Sequence, residues 1–123
     1  MECTVLLIEP SDEIRRVVCD ALQPPHFNVI TVFSGDQACK SALSQAIHLI
    51  ILGTAMINWE GIMERLREVP GMRVTPLILL LFSPIQRIDW DRIGRSDSFC
   101  LSYKIITSKE LLPIVNRLLG LSG

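Results

Sequence analysis

His48-Leu49-Ile50-Ile51-Leu52-Gly53 decides the fold. A short unbroken apolar run of this kind reads as a strand buried on both faces, which is how strands of a parallel sheet read. Function in open α/β sheets gathers at the carboxyl ends of such strands, where the backbone opens into a crevice. Here that end is Gly53, a residue with no side chain to bring to any chemistry.

Working outward, the same pattern recurs on both sides. Thr4-Val5-Leu6-Leu7-Ile8 reads as a first strand, Asn28 to Val32 as a second and more polar one nearer an edge, Pro76 to Phe82 as a central one, and Ser98 to Tyr103 as a fifth. Helical periodicity fills the gaps. Ser11-Asp12 offers an N-cap to a helix through Ile14, Val17, Val18, Ala21 and Leu22, stopped by Pro24-Pro25. Ser34-Gly35-Asp36 opens a helix with Ala38, Ala42, Leu43 and Ala46 expected inward. Glu60 to Glu68 is expected to bury Ile62 and Leu66, with Val69 just beyond, and Ser108 to Leu119 to bury Leu111, Leu112, Val115 and Leu118. Pro84 to Gly94 carries a weaker helical period in Ile85, Ile88 and Ile93. Strands alternating with helices predict an α/β fold. The expected form is a flavodoxin-like (βα)5 three-layer sandwich, its five-stranded parallel sheet in the order 2-1-3-4-5.

With 123 residues the chain makes one domain, residues 1–123, natural as a single unit or excised from a longer protein. No apolar run nears the ~20 residues that span a bilayer, and Met1-Glu2-Cys3-Thr4 lacks the basic start of a signal peptide, so a cytoplasmic location is expected and no membrane contact. A net charge of −1 argues against direct nucleic-acid binding. Arg87, Arg92 and Arg95 are interleaved with Asp89, Asp91 and Asp97, as on a solvated face. Cys3, Cys19, Cys39 and Cys100 stand singly, without metal-ligand spacing, and read as buried free thiols. No phosphate-binding glycine loop, dinucleotide fingerprint or HExxH is present, and His26 and His48 lie in separate units with no nucleophile placed beside them. Thr54 reads as a capping or packing residue at a strand end.

Five pieces in register resemble a response-regulator receiver domain over essentially the whole chain: Val5-Leu6-Leu7-Ile8-Glu9 with Ile14-Arg15-Arg16-Val17; Gly61, eight residues after Gly53; Thr75-Pro76; Lys104; and Glu110-Leu111-Leu112, six residues beyond that lysine. The resemblance implies an aspartate that accepts a phosphoryl group where Gly53 stands, and an acid pair holding Mg²⁺ where Glu9 and Pro10 stand. It implies a Thr or Ser hydroxyl at Leu81, the pocket lysine at Lys104, and after it a proline, often cis, where this chain has Ile105. Ser83 is the one nearby hydroxyl, useful only if the strand continues to it. Mg²⁺ wants several hard oxygen ligands in octahedral geometry. Glu9 alone is a poor site, so Mg²⁺ binding is expected to be lost and no cofactor is expected. A Lys104–Glu9 contact is expected to close the vacated pocket.

The resulting expectation is a degenerate pseudo-receiver, not an enzyme, that signals in a two-component-type phosphorelay by protein–protein interaction. Its relic pocket is Glu9, Pro10, Gly53, Leu81 and Lys104. By resemblance, its interaction face includes Ile88, Trp90, Tyr103, Ile105, Ile106 and Lys109. The partners implied are another signalling protein, a covalently linked effector domain or a second copy. Two other readings stay open: a receiver phosphorylated on a non-standard acid, Asp12 first, or a small-ligand sensor using the vacated pocket.

Overall fold

The computed structural model describes residues 2–83, 86–94, 97–102 and 107–121. Its elements are β1 (Cys3–Ile8), α1 (Asp12–Ala21), β2 (Phe27–Val32), α2 (Gly35–Ser44), β3 (Leu49–Gly53), α3 (Trp59–Glu68), β4 (Leu77–Leu81), α4 (Trp90–Ile93), β5 (Ser98–Ser102) and α5 (Ser108–Leu118). The five strands form one parallel sheet in the order β2-β1-β3-β4-β5, as expected.

Successive strand residues point to opposite faces, so an apolar strand with no polar alternation must be covered on both sides. Leu6, Ile8, Ile50, Leu52, Leu77 and Leu79 pack with Ala38 and Ala42 of α2, Ile62, Met63 and Leu66 of α3, and Ile93 of α4. Their sequence neighbours Val5, Leu7, Leu49, Ile51, Ile78 and Leu80 pack with Ile14 and Val18 of α1 and Leu111 and Val115 of α5. Each fully buried Leu or Ile contributes about 1.5–3 kcal/mol of hydrophobic stabilisation, and this double layer is what holds the carboxyl ends of β1, β3 and β4 in line.

Caps set the helix starts. The side chains of Ser11, Ser34, Asp89 and Thr107 accept backbone amides from Ile14, Gln37, Arg92 and Glu110. The Gln37 side chain answers by accepting the Phe33 amide at 2.7 Å. At the opposite end of the sheet His48 and Thr4 lock β1 to the start of β3. The Thr4 amide donates to His48 Nδ1, and the His48 amide donates to the Thr4 carbonyl, both at 2.8 Å.

Several expectations are corrected. Leu43 is 69% exposed and Ala46 is exposed beyond the end of α2, because the helix closes at Ser44 and Leu43 sits one residue round from the buried Ala42. Trp59 opens α3 one residue earlier than expected and is buried in the core. β4 ends at Leu81, so Phe82 turns outward and the strand does not continue to Ser83. Within residues 84–94 the described helix is only Trp90–Ile93. It is short because Gly94 leaves it with a left-handed φ of 85° while the half-buried Arg67 crosses beneath. Arg67 donates to the carbonyls of Ile93, Met72 and Thr75. Burial holds that guanidinium's pKa below its usual range. All four cysteines are free, but the expected burial holds only for Cys3, since Cys19, Cys39 and Cys100 are half-buried.

Candidate functional site

The register carries the functional positions to one edge. Ile8 pairs with Leu52 and Gly53 with Leu80, which brings Glu9, Pro10, Gly53 and Leu81 to the carboxyl ends of three adjacent strands. Lys104 lies outside the described residues, and with it the expected Lys104–Glu9 contact. Left-handed backbone among the described residues occurs at Asn58, Gly71, Gly94 and Gly120 but not at Gly53. The backbone at the end of β3 therefore does not require glycine there.

Glu9 is fully buried. A carboxylate out of water is costly unless it is hydrogen-bonded, and Glu9 Oε2 accepts the Ser11 amide at 2.8 Å. Arg15 comes in from α1 beside it. Its Nη1 donates to the Glu9 carbonyl at 2.7 Å, its Nη2 pairs with Asp12, and its guanidinium carbon stands 4.8 Å from the centroid of the Phe33 ring. A protein cation thus sits against the backbone of the one retained acid. Sequence reasoning used Arg15 only as part of a pattern. The signal for its role was its place one and a half turns beyond Glu9 and one turn beyond Asp12.

Thr54 organises the other side. Its hydroxyl is buried, accepts the Phe82 amide at 3.0 Å and donates to Gln86 Oε1 at 2.7 Å. Its own amide donates to the Leu80 carbonyl at 3.0 Å. One side chain at the end of β3 therefore fastens both the end of β4 and the segment leading toward α4. Leu81 has no hydroxyl to offer and packs against the core instead.

Between β1, β2 and β3 the same edge opens into a cleft of about 460 Å³ lined by Pro10, Phe33, Gly35, Met56, Ile57 and Ile62. Asp36 and Arg65 stand at its lip, joined by a hydrogen bond of 2.7 Å that holds the Asp36 carboxyl below the usual carboxylate range. Asn58 shapes its floor in left-handed conformation, φ 58°. Its side-chain amide folds over Gly61, where a Cβ would stand 2.5 Å from Asn58 Nδ2.

Of the expected interaction face, Ile88 and Trp90 are half-buried and pack against the core cluster, and Lys109 is exposed. Tyr103, Ile105 and Ile106 lie outside the described residues. No three His, Cys, Asp or Glu side chains among the described residues converge as a metal-binding group. No described helix is long and apolar enough to cross a membrane.

No protein-family profile and no curated protein matches this sequence. Solved structures do. The chemotaxis protein CheY4 of Vibrio cholerae superposes with a TM-score of 0.81 at 23% identity, over 97% of this chain and 100% of that one. The receiver domain of a sensor histidine kinase from Pseudomonas aeruginosa PAO1, a structure with a magnesium ion coordinated in its active-site cleft, superposes with a TM-score of 0.79 at 22% identity, over 98% and 99%. NtrX of Brucella abortus gives 0.78 at 15% identity, over 98% of this chain but only 28% of its own length. The structural neighbours are CheY-like receiver domains, and the chain shares their fold.

Proposed function

We propose that this chain is a phosphorylation-independent, receiver-like signalling module that acts in a two-component-type system by binding another protein and catalyses nothing itself. The observation that carries the reading is Gly53. The position aligned with Glu9 across β1 and β3, where the fold would present a phosphate-accepting carboxylate, has no side chain, and its backbone imposes no need for glycine. Phosphoryl transfer depends on positioning and charge neutralisation, and the acceptor carboxylate and the second acid that would hold a metal are missing from the chain's own sequence.

The donor set does not fit magnesium. Pro10 and Gly53 bring no side-chain oxygen, the Glu9 carboxylate is engaged by the Ser11 amide, and the Glu9 carbonyl is taken by Arg15. Mg²⁺ holds near-octahedral oxygen coordination and gives up its waters reluctantly, so no step is routed through it. Thr54 supports the same reading from the output side. The connection after β4 is fastened by a protein hydroxyl and needs no phosphoryl group to hold it.

Signal leaves through the face of α4, β5 and α5, which carries Ile88, Trp90 and Lys109 and to which the receiver resemblance also assigns Tyr103, Ile105 and Ile106. Phe99, 36% exposed on the edge strand β5, extends it. Aromatic side chains bury much area at small entropic cost, the property of binding hot spots. The partner is a separate signalling protein or a covalently linked effector in a cytoplasmic pathway. NtrX, whose matching region is a minor part of a longer chain, supports the linked form.

The test is intact-protein mass after incubation with acetyl phosphate and Mg²⁺. The expected result is an unchanged mass. A gain of one base-labile phosphoryl group would overturn the proposal and move the search to another acid, beginning with Asp12, whose side chain is 83% exposed.

A further inference from the structure

The cleft at the carboxyl edge has a neighbour that protrudes from the same surface. Ile57, on the loop after β3, is 90% exposed, the highest value of any large apolar side chain described, and Phe33 across the opening is 56% exposed. Single exposed apolar residues are ordinary, but contiguous ones beside a recess mark an interaction surface. Pro10, Phe33, Met56 and Ile57 line one cleft together, over the buried Ile62.

We infer that this face pairs with a second copy of the chain, each Ile57 entering the other's cleft. The charges at the lip choose the occupant. Asp36 and Arg65 stand side by side with side chains 80% and 51% exposed. A partner of one charge sign, such as a nucleic acid or an acidic peptide, would meet one attractive and one repulsive group. A surface with the same alternation, turned by a two-fold axis, sets each Asp36 toward the other copy's Arg65. A protrusion beside a recess and an anion beside a cation form a self-complementary patch, the property an isologous interface requires. The pairing is independent of the proposed signalling face. This patch lies on the β2–β1–β3 side of the sheet, and β5 is at the opposite edge, so a dimer leaves that face open.

One cleft and one protruding side chain per copy make a small interface, for which a Kd on the order of 10–100 µM is expected. Sedimentation equilibrium of the full chain across that range reads it directly. A reversible monomer–dimer equilibrium is expected, with Ile57→Asp raising Kd by about tenfold or more. Because Ile57 is almost wholly in solvent, its replacement leaves the core untouched, and circular dichroism confirms the fold. Asp36→Arg and Arg65→Asp each weaken the dimer, and the double exchange restores it. A chain that stays monomeric throughout the range overturns the inference, and so does a dimer whose Kd ignores Ile57→Asp.

Discussion

Replacing Thr54 by valine removes one oxygen and almost no volume, which isolates the hydroxyl. Two hydrogen bonds are lost, the 3.0 Å bond from the Phe82 amide and the 2.7 Å bond to Gln86 Oε1. A net hydrogen bond is worth about 0.5–1.5 kcal/mol, and a buried group left without one costs about 1–3 kcal/mol. Phe82 is 67% exposed, so its amide reaches water with a small movement and the lower figures apply. The expected loss is about 1–2 kcal/mol, which at ~4 °C per kcal/mol for a chain of this size lowers Tm by about 4–8 °C. Thermal unfolding by circular dichroism gives the total, and amide exchange at Phe82 locates it, because that amide should lose protection while those of β1 and β3 keep theirs. Thr54→Ser keeps the oxygen and should keep the Phe82 protection. The reasoning is refuted if Thr54→Val leaves Tm and Phe82 exchange unchanged. It is equally refuted if the serine variant exposes Phe82 as much as valine does, since methyl packing would then be the cause.

Four further outcomes follow from the same geometry. His48→Ala removes the acceptor of the buried Thr4 amide and should cost about 1–3 kcal/mol in urea unfolding, while His48→Asn, whose amide oxygen falls near the imidazole Nδ1, recovers part of it. Gly61→Ala displaces only the exposed end of the Asn58 side chain, while alanine is about 0.8–1 kcal/mol better than glycine in a helix, so urea unfolding should show stability held or slightly raised, and a loss above about 1 kcal/mol would mean that Asn58 cannot swing away. Arg65→Ala should raise the Asp36 carboxyl pKa toward its ordinary value, seen by NMR titration. Because the folded-state pKa is depressed, this pair's stabilisation exists above the unfolded carboxyl pKa and is lost as pH falls through the folded one. Gly53→Asp sets a second carboxylate beside buried Glu9 and should lower Tm in metal-free buffer. Mg²⁺ should then stabilise the variant, by ~2.7 kcal/mol at a hundredfold excess over Kd, and so raise its Tm while leaving the parent's unchanged.

The fold was legible because its strands are covered on both faces, which writes them into the chain as unbroken apolar runs. The same device hides what happens at their ends. Phe82 has the composition of a strand residue yet turns into solvent, since apolarity alone does not record where pairing stops. Leu43 misled for a related reason: next to a buried alanine it looks like core, and only the angle round the helix turns it outward. Trp59 went unused because nothing local distinguishes a core tryptophan at a helix start from a surface one. The segment before Gly94 was read as a weak helical period, which located buried Ile93 and half-buried Ile88 but not the shortness of α4, since Arg67, a residue of α3, holds its end by the Ile93 carbonyl.

At the site the division is between positions and partners. Glu9, Pro10, Gly53 and Leu81 were assigned through the resemblance to receivers, whose spacing can be counted along strands that are themselves legible. The groups that give those positions their present chemistry come from elsewhere in space. Gln86 meets Thr54 from 32 residues away, and Phe33 meets Arg15 from the next βα unit. Those partners change what the loss of an aspartate means. A receiver-like edge stripped only of its acceptor would leave a buried acid and an untethered connection after β4. In this chain a guanidinium lies against the Glu9 backbone and a threonine hydroxyl holds the end of β4. The Glu9 carboxylate is met by the Ser11 amide, its carbonyl by Arg15 and the end of β4 by Thr54, so a carboxylate restored at residue 53 would meet a second acid, and a cation drawn to that pair would have to compete with Arg15 for the Glu9 carbonyl.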